Sequence, residues 1–247
     1  MGVLDAPPID YRGKPSAVFD PSRDMLSLIA WFDASTLPGA NGSAVTLWPA
    51  SAGGFALNVT PTAKPTLLTN AAAGKNAVRF APTSYLLNSD TVGAGGIGLV
   101  AGWPQPITYA FVFRLSADYA TAANGTLLGS TNCAVNIGTG LGLYGRAPLN
   151  PVAYPCAPLN DGQWHVGVVC LGTAGAVIYV DGYLTSASAT NLGTGTVTGF
   201  YIGPGANMTP NTAGTVDVAE AIVANSVLTP SRIDAITQAL AKKWGIS

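Results

Sequence analysis

The stretch from Gln163 to Leu184, QWHVGVVCLGTAGAVIYVDGYL, constrains the chain more than any other. Trp164, Val166, Val168 and Cys170 fall on one face; His165, Gly167, Val169 and Leu171 fall on the other. That period-two alternation marks a strand whose faces meet different surroundings. Gly172-Thr173-Ala174-Gly175 supplies a turn with backbone freedom at both ends. A second strand runs from Ala176 to Val180, and Asp181-Gly182 closes it with a dipeptide suited to the positive φ of a two-residue hairpin. A third strand starts over Tyr183 to Ala187. The reading is a three-stranded antiparallel meander, and nothing in it is a catalytic motif.

Composition agrees with a chain of many short strands. Its 247 residues hold 30 glycines and 18 prolines, and 48% are hydrophobic, which argues against disorder and fits tight turns between strands. Only 9% are charged and the net charge is −1, so no electrostatic case exists for nucleic acid or an anionic membrane. So little charge leaves a surface of Thr, Ser, Asn and Gly, or one covered by other subunits. No run reaches the ~18 apolar residues of a membrane helix. The start, MGVLDAPPIDYRGKP, lacks a basic region followed by an apolar one, so no secretory signal is expected. Cys133, Cys156 and Cys170 make an odd count. Cys170 reads as a buried small hydrophobe, and Cys133 and Cys156 lie in loop-like sequence where a pairing stays open.

Residues 1–24, with Pro7, Pro8, Pro15 and Pro21, read as an extended N-terminal arm, and residues 25–247 as one domain. Strands are expected at Leu28 to Asp33, Ala44 to Trp48, from Lys64 onward, Asn76 to Phe80, Ile107 to Leu115, Leu127 to Ser130, Ala134 to Ile137, Thr196 to Ile202 and Val216 to Val223. Gly138 to Tyr154 reads as irregular. The one clear helix comes last: Thr229 to cap it, Pro230 at its first position, Ile233, Ile236, Ala239 and Leu240 as its apolar stripe, and Gly245 to stop it. The fold class is all-β, a two-sheet antiparallel jelly-roll sandwich with a C-terminal helix and an extended arm.

The ordered set of short motifs resembles the laminin-G-like, concanavalin A-like jelly-roll domains of bacteriophage virion proteins and bacterial surface proteins. It comprises Trp31-Phe32-Asp33-Ala34-Ser35, Trp48, Lys64-Pro65-Thr66, Gly74 to Phe80, Ile107 to Phe113, Trp164-His165, Ile178 to Gly182, Ile202-Gly203, Val218 to Val223 and Leu240 to Ile246. The resemblance covers residues 25–247 and implies adhesion, glycan binding or structural decoration of a virion. The expected function is a non-enzymatic virion structural protein, a minor tail or capsid decoration subunit, with host-surface glycans as a candidate contact. The alternatives are a dedicated carbohydrate-binding adhesin and, further off, a glycoside hydrolase of the same fold. The expected partners are other virion proteins or copies of the chain, held through the arm, with no nucleic acid and no membrane insertion; the expected location is the virion.

The residues give catalysis little to work with. A retaining glycosidase needs two carboxylates about 5 Å apart. Glu220 is the chain's one glutamate, and Asp217 lies three residues before it, so on a regular strand the two face opposite ways. His165, the sole histidine, sits mid-strand and reads as a framework residue, as does Asp181 in its turn. No Asp-x-Asp-x-Asp cluster or Cys-x-x-Cys pair is present, so neither metal nor cofactor is expected. Sugars stack on exposed aromatic rings beside amides. The loop candidates for glycan binding are Trp103, Tyr119, Tyr144 and Asn207. Trp31, Trp48, Trp164 and Trp244 are assigned to the core.

Overall fold

The computed structural model describes residues 19–25, 27–53, 56–59, 64–82, 84, 86–89, 103–119, 125–129, 133–138, 142–146, 151–153, 158–189, 192–197, 199–203, 205–206, 209–210 and 214–247. Residues 1–18 of the expected arm lie outside them. Of the rest of the arm, Pro21–Asp24 is not extended but forms one helical turn, α1, whose first turn is capped by the Asp20 carboxylate accepting from the Ser22 N–H at 2.9 Å.

Strands follow in chain order: β1 (Leu28–Asp33), β2 (Leu47–Pro49), β3 (Ala56–Val59), β4 (Thr66–Ala72), β5 (Lys75–Phe80), β6 (Leu86–Ser89), β7 (Trp103–Pro104), β8 (Ile107–Leu115), β9 (Gly125–Gly129) and β10 (Ala134–Ile137). The second half holds β11 (Leu143–Arg146), β12 (Pro151–Ala153), β13 (His165–Gly172), β14 (Gly175–Val180), β15 (Tyr183–Ser188), β16 (Thr196–Val197), β17 (Gly199–Ile202), β18 (Gly205–Ala206), β19 (Thr209–Pro210) and β20 (Val216–Ala224), then helix α2 (Pro230–Trp244). One eight-stranded sheet runs β15-β14-β13-β8-β20-β5-β4, with β1 also on β20. The other runs β12-β11-β10-β9-β17-β6-β3-β2. Every pairing in both is antiparallel. This is the all-β jelly-roll sandwich with a C-terminal helix that the sequence implied.

Alternation decides what each face buries. Along β8, Ile107, Tyr109, Phe111, Phe113 and Leu115 point into the space between the sheets, while Ala110 and Val112 point outward under α2. The first sheet is thus covered on both sides, which explains why β13 and β20 are buried along almost their whole length. In the inter-sheet core Phe200 stacks on Phe32 at 5.7 Å and Trp48 meets Phe32 edge-on at 6.0 Å. On the outer side Ile233, Ile236, Leu240 and Trp244 of α2 close over Val166, Val168 and Ile222. The molecule therefore has three layers: sheet, sheet, helix.

The meander forms as expected, with Asp181 at φ 51° and Gly182 at φ 82°, both positive as a two-residue hairpin turn requires. Other readings change. Gly138 to Tyr154, read as irregular, contains β11 and β12. Thr196 to Ile202 is not one strand: β16 pairs with β7, whereas β17 joins the second sheet. Thr229 stands at the helix N-cap but makes no capping bond, its hydroxyl lying 3.2 Å from that of Ser231. Thr237, not Ala239, completes the buried stripe, its hydroxyl donating to the Ile233 carbonyl at 2.9 Å. Gly245 ends the helix in the left-handed region at φ 65°, as expected.

The sheets approach closely over Gly167, where an added Cβ would lie 2.5 Å from the Phe111 ring and 3.0 Å from Leu143. Gly167→Val is expected to destabilise the fold by about 1–3 kcal/mol through overpacking. The measurement is a lowered urea midpoint with an unchanged slope.

Candidate functional site

Two polar clusters lie on the outer face of the first sheet, around β20, and a third lies at the start of β13. A bulge interrupts that strand between Val218 and Glu220. It falls where the neighbour of β20 changes from β5, paired with Val216 to Val218, to β1, paired with Glu220 to Ala224. The extra residue reverses the parity, so Asp217 and Glu220 share the helix-bearing face. This corrects the expectation that they point opposite ways, which held only for a regular strand.

Glu220 is 1% exposed, and both of its oxygens are taken. Oε1 accepts the Trp31 indole N–H at 2.7 Å; Oε2 accepts from Lys243 Nζ and from the Trp244 indole N–H, each at 2.6 Å. Asp33, directly across on β1, accepts from the same ammonium at 2.8 Å. The Lys243 charge also lies 5.4 Å from the Trp31 ring and 5.3 Å from the Trp244 ring. Burial pushes the Glu220 carboxyl above its usual range, and the Lys243 charge pulls against that shift. A glycosidase pair needs room between its carboxylates for sugar and water. Here a lysine of the protein's own helix bridges Asp33 and Glu220.

The second cluster sits at the other end of β20. Asp217 is gripped on both oxygens by Arg79, at 2.8 and 3.0 Å, and Arg114 donates to Oδ2 at 2.6 and 3.0 Å. The Arg114 guanidinium lies 4.8 Å from the centre of the Trp164 ring, whose N–H donates to the Ala71 carbonyl at 3.2 Å. Trp31 and Trp164 are thus half-buried partners of cations, whereas Trp48 and Trp244 are true core residues.

The third cluster is a histidine held on both sides. His165 Nδ1 lies 2.8 Å from Asp181 Oδ2, and Nε2 lies 3.1 Å from Asp161 Oδ1. Ionised carboxylates only accept, so satisfying both contacts requires both ring nitrogens to carry protons. Burial alone would lower the pKa of His165, but the bonds and charges of Asp181 and Asp161 outweigh it and raise the value above 6.5. Asp181 Oδ1 also accepts the Val166 N–H at 2.7 Å, so one side chain ties the hairpin turn to the start of β13. With both nitrogens against carboxylates, His165 is placed as a clamp between segments.

Of the four expected glycan contacts, the side chains of Trp103 and Tyr119 are described. Trp103, on β7, packs half-buried against the inter-sheet core. Tyr119 is 3% exposed within that core, so neither ring face is open to a sugar. Tyr144 lies on β11 with its side chain outside the described residues, and Asn207 lies outside them altogether. Cys133 is buried and its thiol pushed up to about 11, while Cys156 is outside the described residues. Sequence reasoning passed over Tyr183, the most exposed large hydrophobic residue described, at 78%. Its signal was available: it follows the hairpin turn at the start of the meander's last strand. Among the described residues no group of three His, Cys, Asp or Glu is arranged to hold a metal, and no helix is long and apolar enough to cross a membrane.

No family model matches the chain, and no curated protein does. Solved structures do. Trypanosoma rangeli sialidase in complex with 2,3-difluoro-KDN is 16% identical over 98% of this chain and 36% of its own, with a TM-score of 0.61. The binding domain of Paraclostridial Mosquitocidal Protein 1 is 9% identical over 87% of this chain and 52% of its own, with a TM-score of 0.63. The receptor binding domain of botulinum neurotoxin mosaic serotype C/D is 11% identical over 86% and 50%, with a TM-score of 0.58. The chain spans between about a third and a half of the length of these structures. At such identities the likeness establishes the β-sandwich fold alone.

Removing Lys243 strands two buried carboxylates. Lys243→Met is expected to lower stability by about 3 kcal/mol, measured by chemical unfolding. His165 gives a pH signature. Its folded form holds the proton more tightly than the unfolded chain, so the clamp's contribution is full below about pH 6.5 and fades as pH rises through the higher folded pKa. The stability advantage of wild type over His165→Gln should therefore shrink as pH rises above about 6.5. An advantage that grows with pH would contradict the double clamp.

Proposed function

We propose that the chain is a non-enzymatic β-sandwich subunit of a bacteriophage virion, on a tail or as capsid decoration, that contacts glycans on the host surface. The observation that carries the non-enzymatic part is the fate of the buried acids. Asp217 is held by two arginines, and Asp33 and Glu220 share the Lys243 ammonium, so all three acids are engaged by cations of the fold itself. Recognition is favoured by neighbours of the same fold that are a binding domain and a receptor binding domain. The glycan, in turn, is favoured by the likeness to a sialidase fold and by a surface poor in charge. The virion setting follows from the motif resemblance and from a composition that suits a surface covered by neighbours.

Two measurements on the full chain test this. Mass spectrometry of purified particles should find the protein at fixed copy number. A glycan array should show binding to a small set of glycans, with no sugar released on prolonged incubation. Turnover of a bound glycan that disappears in a folded Glu220→Gln variant would overturn the non-enzymatic reading.

A further inference from the structure

We propose that the loop at residues 160–163 is a strap released by rising pH: it is fastened to the first sheet while the His165 ring carries two protons and lets go when the ring carries one. This holds whatever the surface recognises.

The two carboxylates beside His165 are anchored unequally. Asp181 is tied to β13 by backbone as well as side chain, its N–H donating to the Val166 carbonyl at 2.9 Å and its Oδ1 accepting the Val166 N–H at 2.7 Å. Neither bond involves the imidazole. Asp161 has no such second hold. Its Oδ1 accepts the Gln163 N–H at 2.8 Å, a bond inside the loop that travels with it. Among the described residues, the 3.1 Å contact with His165 Nε2 is the bond by which Asp161 reaches the sheet. A neutral imidazole donates from one nitrogen and presents a lone pair on the other. Asp181, fixed in place, keeps the remaining proton at Nδ1. The Nε2 lone pair then faces the Asp161 carboxylate, and two acceptors do not bond.

The loop is pinned at its ends and held lightly between them. Leu159 is buried in the inter-sheet core, and His165 begins β13. Asp161 and Gln163 are exposed, and Gly162 takes φ 75°. The other described bond from the loop is a long one, from the Asn160 amide to the Ala117 carbonyl at 3.4 Å. The charges that act on the ring are those of Asp181, from the turn between β14 and β15, and Asp161, from the loop. From β8 comes the uncharged Phe113 ring at 5.8 Å; Arg114, the next residue, is held by Asp217 on the opposite face. From α2, Thr237 lies against Gly182 and carries no charge. The two acids raise the proton affinity of His165, so release falls above the pH at which an ordinary histidine titrates.

Nuclear magnetic resonance on the ¹⁵N-labelled full chain tests this, and His165 is the sole histidine, so its ring signals need no assignment. At about pH 5.5, below the ordinary histidine value, both ring nitrogens should be protonated. The amides of residues 161–163 should then be as ordered as those of β13, with order parameters near about 0.85. Once the ring has titrated, its proton should remain on Nδ1 and those order parameters should fall below about 0.6, while β13 and the Asp181-Gly182 turn stay unchanged. In Asp161→Asn, whose amide can turn to donate to the neutral nitrogen, the loop should stay ordered through the titration. A wild-type loop equally ordered on both sides of the His165 titration overturns the proposal. So does a neutral ring protonated at Nε2, or an Asp161→Asn loop that loosens as wild type does.

Discussion

A single buried carboxylate sets much of this architecture. Glu220 lies on β20, which pairs with β8 along one side and with β5 and β1 along the other. An unpaired carboxylate there would be prohibitive, so the fold surrounds it with three donors. Trp31 arrives from the neighbouring strand, and Lys243 and Trp244 arrive from the last turn of α2. The helix is therefore fastened to the sheet by charge as well as by its apolar stripe. The same ammonium reaches Asp33, so β1, β20 and α2 are fixed to one another at one point.

Asp217 and His165 repeat the pattern. Two arginines hold the first, one of them against the Trp164 ring, and two aspartates hold the second. A chain with only 9% charged residues uses much of that charge to tie strands, turns and helix together. Its outward chemistry is then mostly hydroxyl, amide and backbone.

The local rules of the sequence were legible where local rules governed. The meander, with its Asp181-Gly182 turn, and the helix from Pro230 to Gly245 depend on alternation, turn chemistry and capping positions within a few residues. The two-sheet sandwich followed from those pieces. The site depended on contacts across the chain. The parity argument for Asp217 and Glu220 failed because one bulge, invisible in VDVAEAIV, reversed the faces at the point where β20 changes neighbours. Lys243 sits in the last turn of α2, where any cation suits the helix dipole, and its partners lie 210 and 23 positions away. Tyr119 sat in polar loop-like sequence and is nevertheless core, because burial there is decided by Gly214, whose missing side chain lets the backbone close on it.

The Glu220–Lys243 contact holds α2 against the sandwich. Native-state hydrogen exchange on wild type and Lys243→Met tests it most directly. In the variant, amides of α2 should lose protection selectively, while those of β8 and β13 keep theirs under native conditions. Equal protection of α2 in the two proteins would contradict it, leaving the apolar stripe of Ile233, Ile236, Leu240 and Trp244 as the sole fastening.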